Sequence, residues 1–86
     1  MSSHTPIETV RDVVLSFVAG RSGRSLGDLG DETRFFSSGL LTSIDLIELV
    51  PLVEDCARTT VAVEQVTLEH FDRLRTILAV LGLAPS

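Results

Sequence analysis

The sequence predicts an all-α fold: a four-helix bundle with three main helices, one short third helix and a long first loop. Three stretches carry apolar residues at helical spacing. The one β-branched stretch has no second strand to pair with, and Leu and Val supply most of the apolar content of 44%. A chain of 86 residues suffices for one domain. We therefore expect a single domain over residues 1–86, with one core and no deep enzyme cleft.

The charge balance excludes several classes of partner. The seven basic residues are all Arg, and twelve acidic residues give a net charge of −5. This balance opposes binding to nucleic acid or to anionic lipid and favours a partner with a basic surface. There is no cationic start followed by an apolar run, and no stretch approaches a membrane span. We expect a cytoplasmic monomer without a disulfide, since Cys56 is the single cysteine.

The first helix has a clear start signal. Thr5 is the expected N-cap, Pro6 suits the first helical position, and Glu8 completes a capping box. Gly20 is expected to end the helix. Apolar residues recur between these points at Ile7, Val10, Val14, Phe17 and Val18.

The first loop, GRSGRSLGDLGDETRFFSS, spans residues 20–38 and contains four glycines. A loop of this length in a small domain is often functional. It has neither a GK[ST] ending nor a GxGxxG pattern, so a phosphate cradle is not expected. Four apolar residues are expected to hold it against the core: Leu26, Leu29, Phe35 and Phe36.

The second helix is expected to begin at Thr42 or Ser43 and to run to about Arg58. Thr42 with Asp45 three residues later is a second capping-box pattern. Pro51 lies inside this helix, where it removes one backbone hydrogen bond and favours a kink.

The rest of the chain predicts an extended connector over residues 59–66, followed by two further helices. Thr67 is expected to cap a single helical turn, and Asp72 to cap the last helix. Gly82 and Pro85 are expected to close that helix. Its apolar residues are Leu74, Ile77, Leu78 and Leu81.

The second helix carries two apolar faces. On a helical wheel its core face consists of Leu46, Leu49, Val50, Val53 and Ala57. Cys56 borders that face and is expected to act as a small buried hydrophobe. Ile44, Ile47 and Pro51 lie opposite, at i, i+3 and i+7. Single exposed apolar residues are common, but this spacing on a polar face favours a docking surface.

Acidic residues surround the outward face. The segment from Asp31 to Asp55 contains a single basic residue, Arg34. Its acidic residues are Asp31, Glu32, Asp45, Glu48, Glu54 and Asp55. We expect this charge to steer a basic partner to the second helix. A helical interaction adaptor that uses the face without any prosthetic group is therefore one functional alternative.

Ser43 is either a cap or a site of modification. Serine at a helix start is most often a cap. Here Thr42 already offers a capping oxygen, which leaves the Ser43 hydroxyl free to point outward. A phosphate attached there would lie beside backbone N–H groups and the positive end of the helix dipole. No base lies near Ser43 in sequence, so self-catalysis is not expected.

The segment FSSGLLTSI, residues 36–44, resembles the acyl and peptidyl carrier proteins, whose modified serine lies in Phe-x-x-x-Gly-Leu-x-Asp-Ser-Leu. Residues 45–55 resemble the acidic recognition helix of that family. The segment TLEHF, residues 67–71, followed by Ile77, resembles its Thr-x-Glu-x-Phe pattern. The resemblance covers about residues 5–82.

The resemblance implies a bundle of carrier-protein type in which Ser43 accepts 4′-phosphopantetheine from coenzyme A. The thiol of that group carries an acyl or aminoacyl thioester, and the chain itself is not an enzyme. The implied partners are a phosphopantetheinyl transferase, a loading ligase or acyltransferase, and synthase or condensing enzymes, in polyketide or nonribosomal peptide-type metabolism. The implied recognition residues are Ile44, Asp45, Ile47, Glu48, Pro51, Glu54 and Asp55.

Two positions depart from the family pattern. Thr42 stands where the family usually has Asp, and Pro51 where it has an ordinary helix former. Thr42 leaves open a carrier-like protein that is never modified.

Three other functional classes are disfavoured by the sequence. Ser43 and His70 lack the setting of a nucleophile elbow. One Cys and two distant His do not form a metal ligand set. The second helix is acidic, which disfavours a helix-turn-helix DNA binder.

Overall fold

The computed structural model describes residues 6–83 and contains four helices: α1 (Pro6–Ser22), α2 (Ser43–Ala57), α3 (Leu68–Phe71) and α4 (Leu74–Val80). Two 3₁₀ turns, Leu26–Asp28 and Val63–Gln65, interrupt the connecting segments. No strand occurs within the described range. The prediction of a small all-α domain with a short third helix is confirmed.

Helix α1 ends two residues later than expected. It continues through Gly20 to Ser22, and the chain turns at Gly23, which has φ = 77°. The Gly23 N–H donates to the Ala19 carbonyl at 3.0 Å. This left-handed glycine terminates the helix by satisfying a carbonyl at its end, whereas a glycine within the last turn only weakens it. The predicted N-cap, Thr5, lies outside the described residues.

The core forms where α1 packs against α2 and α4, with α3 contacting α2 and α4. The radius of gyration is 12.0 Å, close to the ~12 Å expected of a compact chain of this length. The buried apolar residues are Val10, Val14, Val18, Leu29, Phe35, Leu41, Leu46, Leu49, Val53, Val61, Phe71, Leu74, Ile77 and Leu78.

The first loop reaches the core through three of its four apolar residues. Leu29 and Phe35 are buried, and Phe36 packs against the core. Leu26 was expected to join them, but its side chain is 53% exposed. The preceding residues 23–25 are exposed, because loop backbone needs water for its polar groups. That surface course brings Leu29, but not Leu26, to the core.

Helix α2 has Thr42 as its N-cap and continues through Pro51 without a break. Pro51 lies on the exposed side of the helix and, having no N–H, cannot donate a hydrogen bond to the Ile47 carbonyl. The helix ends at Ala57, and Arg58 takes a left-handed conformation with φ = 54°. The predicted bounds of this helix are confirmed to within one residue.

The C-terminal half differs from expectation at Asp72. Thr67 caps α3 as predicted, accepting the His70 N–H at 3.2 Å. The N-cap of α4 is Arg73, not Asp72. The Thr76 hydroxyl accepts the Arg73 N–H at 3.3 Å and so serves the start of α4. Asp72 is buried and directed toward the first loop instead.

Gly82 follows α4 with φ = 74°, while Pro85 lies outside the described residues. None of the helices in residues 6–83 has the length and apolar character needed to cross a bilayer.

Candidate functional site

The chain enters α2 through a closed loop, residues 35–41, which we call the anchored loop. Its two ends are buried side chains, Phe35 and Leu41. The Leu41 N–H donates to the Phe35 carbonyl at 2.8 Å, and the Gly39 N–H donates to the Phe36 carbonyl at 3.1 Å. Gly39 has φ = 86°, a conformation that favours glycine. The loop therefore closes on itself two residues before Ser43.

Asp72 joins this loop to the corner between α3 and α4. Its Oδ1 accepts the N–H groups of Phe36 at 2.7 Å and Ser37 at 3.0 Å. Its Oδ2 accepts the Ser37 hydroxyl at 2.6 Å. Its backbone carbonyl accepts the Phe35 N–H at 2.6 Å. One residue of the C-terminal half thus makes four hydrogen bonds to three consecutive residues of the anchored loop.

The same contacts determine the ionisation of Asp72. Burial alone would raise its pKa, but the hydrogen bonds from Ser37 and Phe36 and the Arg34 cation together hold the pKa below its ordinary value. A lowered pKa in the folded state adds stability above the pKa of the unfolded chain. That contribution is lost as the pH falls through the folded-state pKa. Acid therefore weakens the attachment of the anchored loop.

Ser43 is the first residue of α2 and is exposed. Its side chain makes no hydrogen bond with the described residues. The first helical hydrogen bond runs from the Leu46 N–H to the Thr42 carbonyl at 3.3 Å. The N–H groups of Ser43 and Ile44 precede that bond and have no backbone acceptor within residues 6–83. The hydroxyl and two unpaired N–H groups therefore meet water at one end of the helix.

Thr42 and Asp45 form the predicted capping box. The Thr42 N–H donates to Oδ2 of Asp45 at 2.8 Å, and the Thr42 hydroxyl lies 3.2 Å from the same oxygen. Arg21, in the last turn of α1, pairs with Oδ1 of Asp45 at 3.1 Å. Asp45 is only 8% exposed. It is thus held inside the domain, and its predicted part in partner recognition stays a prediction.

The outward face of α2 is exposed, as the helical wheel predicts. The side chains of Ile44 and Ile47 are 69% and 72% exposed, and Pro51 is exposed beside them. Nothing in residues 6–83 covers these three side chains, which we call the outward face. Water therefore contacts a contiguous apolar surface that begins one residue after Ser43.

The acidic surroundings of this face are more neutralised than the local sequence suggests. Arg21 pairs with Glu48 as well as with Asp45, and its guanidinium lies 5.0 Å from the centre of the Phe17 ring. Glu54 accepts the Val61 N–H at 2.7 Å. Asp55 is exposed and makes no ion pair with the described residues. Asp55 is therefore the least compensated carboxylate on α2.

The acidic residues of the first loop are paired in the same way. Asp31 is bound by Arg11 of α1. Glu32 is bound by Arg73 at 3.1 Å and by Arg75 at 3.0 Å. The arginines come from distant parts of the chain, so a count of charges along residues 31–55 overestimates the local negative potential.

The surroundings of Cys56 and His70 indicate roles in packing and helix capping rather than in chemistry. Cys56 is half-buried against the core. Burial, and then the charge of Asp55, raises the pKa of its thiol, which makes it a weaker nucleophile. His70 places Nδ1 2.8 Å from the Thr67 hydroxyl at the start of α3. Residues 6–83 contain no cluster of His, Cys, Asp and Glu able to hold a metal ion.

Comparison with known families, curated proteins and solved structures finds no match to this chain. Its function is therefore inferred from the residues themselves.

Two contributors to the site were not expected from the sequence. Both residues contact segments that are remote in sequence. For that reason no local pattern marks Arg21 as part of the site, and the pattern around Asp72 predicts a helix cap instead.

Proposed function

We propose that this protein is an acyl or aminoacyl carrier protein, in which Ser43 bears 4′-phosphopantetheine and α2 meets the partner enzymes. One observation supports this proposal more than any other: an unbonded, exposed serine hydroxyl stands at the first residue of α2. The helical fold and the segment FSSGLLTSI are consistent with the same class of protein. We infer a bundle of carrier-protein type.

The residues at the start of α2 are suited to a phosphodiester. The N–H groups of Ser43 and Ile44 are available as donors, and the helix dipole favours an anion there. The Asp45 carboxylate would oppose that anion, but Arg21 pairs with it. When bound, 4′-phosphopantetheine supplies a thiol that holds cargo as a thioester. The chain supplies the attachment oxygen, the donors for the phosphate and the exposed position.

Partner enzymes would meet the outward face. Ile44, Ile47 and Pro51 supply apolar contact, while Glu48, Glu54 and Asp55 supply the charge that a basic partner recognises. Partners of three kinds follow from the class: a phosphopantetheinyl transferase, a loading ligase or acyltransferase, and a synthase or condensing enzyme. Asp45 contributes by fixing the start of α2.

Intact-mass analysis tests the proposal directly. The purified chain is incubated with coenzyme A and a broad-specificity phosphopantetheinyl transferase, and we expect it to gain one phosphopantetheine. The Ser43→Ala variant should show no gain, because it lacks the attachment oxygen. Ser16→Ala removes an exposed serine of α1 and should gain the same mass as the unchanged chain.

Failure of the chain to gain mass with several transferases would contradict the proposal. It would favour the alternative, a helical adaptor that uses the outward face without a prosthetic group. A gain that persists in Ser43→Ala would show that the attachment site is elsewhere.

A further inference from the structure

We propose that Asp72 is a positioning residue for Ser43, because it holds the anchored loop in the conformation that sets the start of α2. This inference rests on the proposed function where it concerns modification. Its structural part, that the α3–α4 corner controls the loop in front of Ser43, can be tested without any modification.

A continuous series of hydrogen bonds leads from Asp72 to Ser43. The carboxylate and carbonyl of Asp72 bind residues 35–37 through four hydrogen bonds. The Phe35 carbonyl accepts the Leu41 N–H at 2.8 Å. Leu41 is directly followed by Thr42, the N-cap of α2, and then by Ser43. The backbone carbonyl of Asp72 therefore reaches Ser43 over two hydrogen-bonded steps and two peptide units, and its carboxylate holds Phe36 and Ser37 inside the loop that these steps close.

Besides Asp72, two hydrogen bonds hold the exposed part of the loop: the Gly39 N–H donates to the Phe36 carbonyl, and the Ser38 hydroxyl donates to the Arg34 carbonyl. Ser37, Ser38 and Gly39 are exposed, and a side chain built at Gly39 would meet nothing within 4 Å. Asp72 is 8% exposed, so its carboxylate is shielded from competing water. Removing the carboxylate leaves the Phe36 and Ser37 N–H groups without their acceptor in a partly buried place. The loop should then sample conformations in which the Leu41 N–H separates from the Phe35 carbonyl, even while both side chains remain in the core.

Amide hydrogen exchange of the unmodified protein tests the structural part. In Asp72→Ala we expect exchange of the Phe36, Ser37 and Leu41 amides to accelerate about tenfold or more. In Asp72→Asn the remaining oxygen can still accept N–H donors, so most of the protection should return. The control, Thr76→Val, removes the side-chain acceptor at the start of α4 and should leave these three amides unchanged.

Phosphopantetheine transfer tests the consequence for Ser43. We expect Asp72→Ala to lower kcat about tenfold with KM little changed, because the outward face that binds the transferase is intact while the hydroxyl is less well positioned. Asp72→Asn should restore most of the rate. Thr76→Val should retain the kcat of the unchanged chain, which separates positioning from a general loss of stability.

The two proposals fail in different ways. If the unchanged chain accepts no phosphopantetheine, the proposed function fails, while hydrogen exchange still tests the role of Asp72. If a folded Asp72→Ala shows unchanged exchange at Leu41, or loses no more kcat than Thr76→Val, the positioning role is wrong. Should Asp72→Ala not fold, Ser37→Ala removes only the hydroxyl donor, and a smaller acceleration, about threefold, is expected at the same amides. Unchanged exchange in that variant would equally overturn the inference.

Discussion

The two faces of α2 carry similar side chains with opposite surroundings. On one face Leu46, Leu49 and Val53 are buried against the rest of the domain. On the other, Ile44 and Ile47 expose about 70% of their side chains. Both sets of aliphatic side chains belong to one helix, and the largest difference between them is whether another element packs against them. Packing within the domain explains why the first face is apolar. Within residues 6–83, no contact explains why the second face is also apolar.

The inner face of α2 contributes to the stability of the fold, and on the proposed function the outward face contributes to recognition. Burying a Leu or Ile side chain contributes about 1.5–3 kcal/mol, and the inner face provides that contribution on folding. The outward face contributes far less, because Ile44 and Ile47 stay about 70% exposed. Substitutions on the inner face should therefore change the free energy of unfolding, while substitutions on the outward face should change binding and modification.

The largest effect is expected from Leu49→Ala on the inner face. Leu49 is fully buried, so truncation removes its apolar burial and leaves a cavity. We expect a loss of about 2–5 kcal/mol in the free energy of unfolding, measured by urea denaturation. A loss below about 1 kcal/mol would show that this face is not packed as described.

Pro51→Ala tests the C-terminal end of the outward face. Proline inside a helix removes one backbone hydrogen bond and costs up to about 3 kcal/mol relative to Ala. Because α2 continues through Pro51, we expect the variant to gain stability by up to that amount, with an increase in Tm. A loss of stability would mean that α2 depends on the shape that Pro51 gives it.

Arg21→Ala tests the charge beside the two faces. The Arg21 side chain is 42% exposed, while its partner Asp45 is buried and keeps the hydrogen bond from the Thr42 N–H, so the loss of stability should be about 1 kcal/mol. The variant leaves two carboxylates uncompensated and should speed association with a basic partner at low salt. The measurement is the association rate of the variant and of the unchanged chain over a range of ionic strength. A slower rate at low salt would contradict the proposal that these acidic residues steer a basic partner.

The smallest change in stability is expected from Ile47→Ala, the outward counterpart of Leu49→Ala. Its stability should stay within about 0.5 kcal/mol of the unchanged chain, while KM for phosphopantetheine transfer should rise. Val63→Ala is the matched control, because Val63 is 87% exposed and belongs to the connector rather than to α2. Equal transfer kinetics for both variants would argue against docking on the outward face.

The sequence alone was enough to predict the number and order of the helices, the bounds of α2 to within one residue, and both faces of α2. Capping residues at Thr42 and Thr67 and apolar spacing of about 3.6 residues are local signals. These signals act within a few residues, so they could be recognised without knowledge of the tertiary structure. For the same reason the exposed position of Ser43 at a helix start was predictable.

The tertiary structure decided which charges and carboxylates serve the site. Arg21 reaches Asp45 and Glu48 from α1, and Asp72 reaches residues 36 and 37 from the α3–α4 corner. A helix cap and a carboxylate that binds a distant loop have the same local sequence. Only packing brings partners 24 and 36 residues apart within hydrogen-bonding distance, and such contacts leave no periodic trace in one sequence.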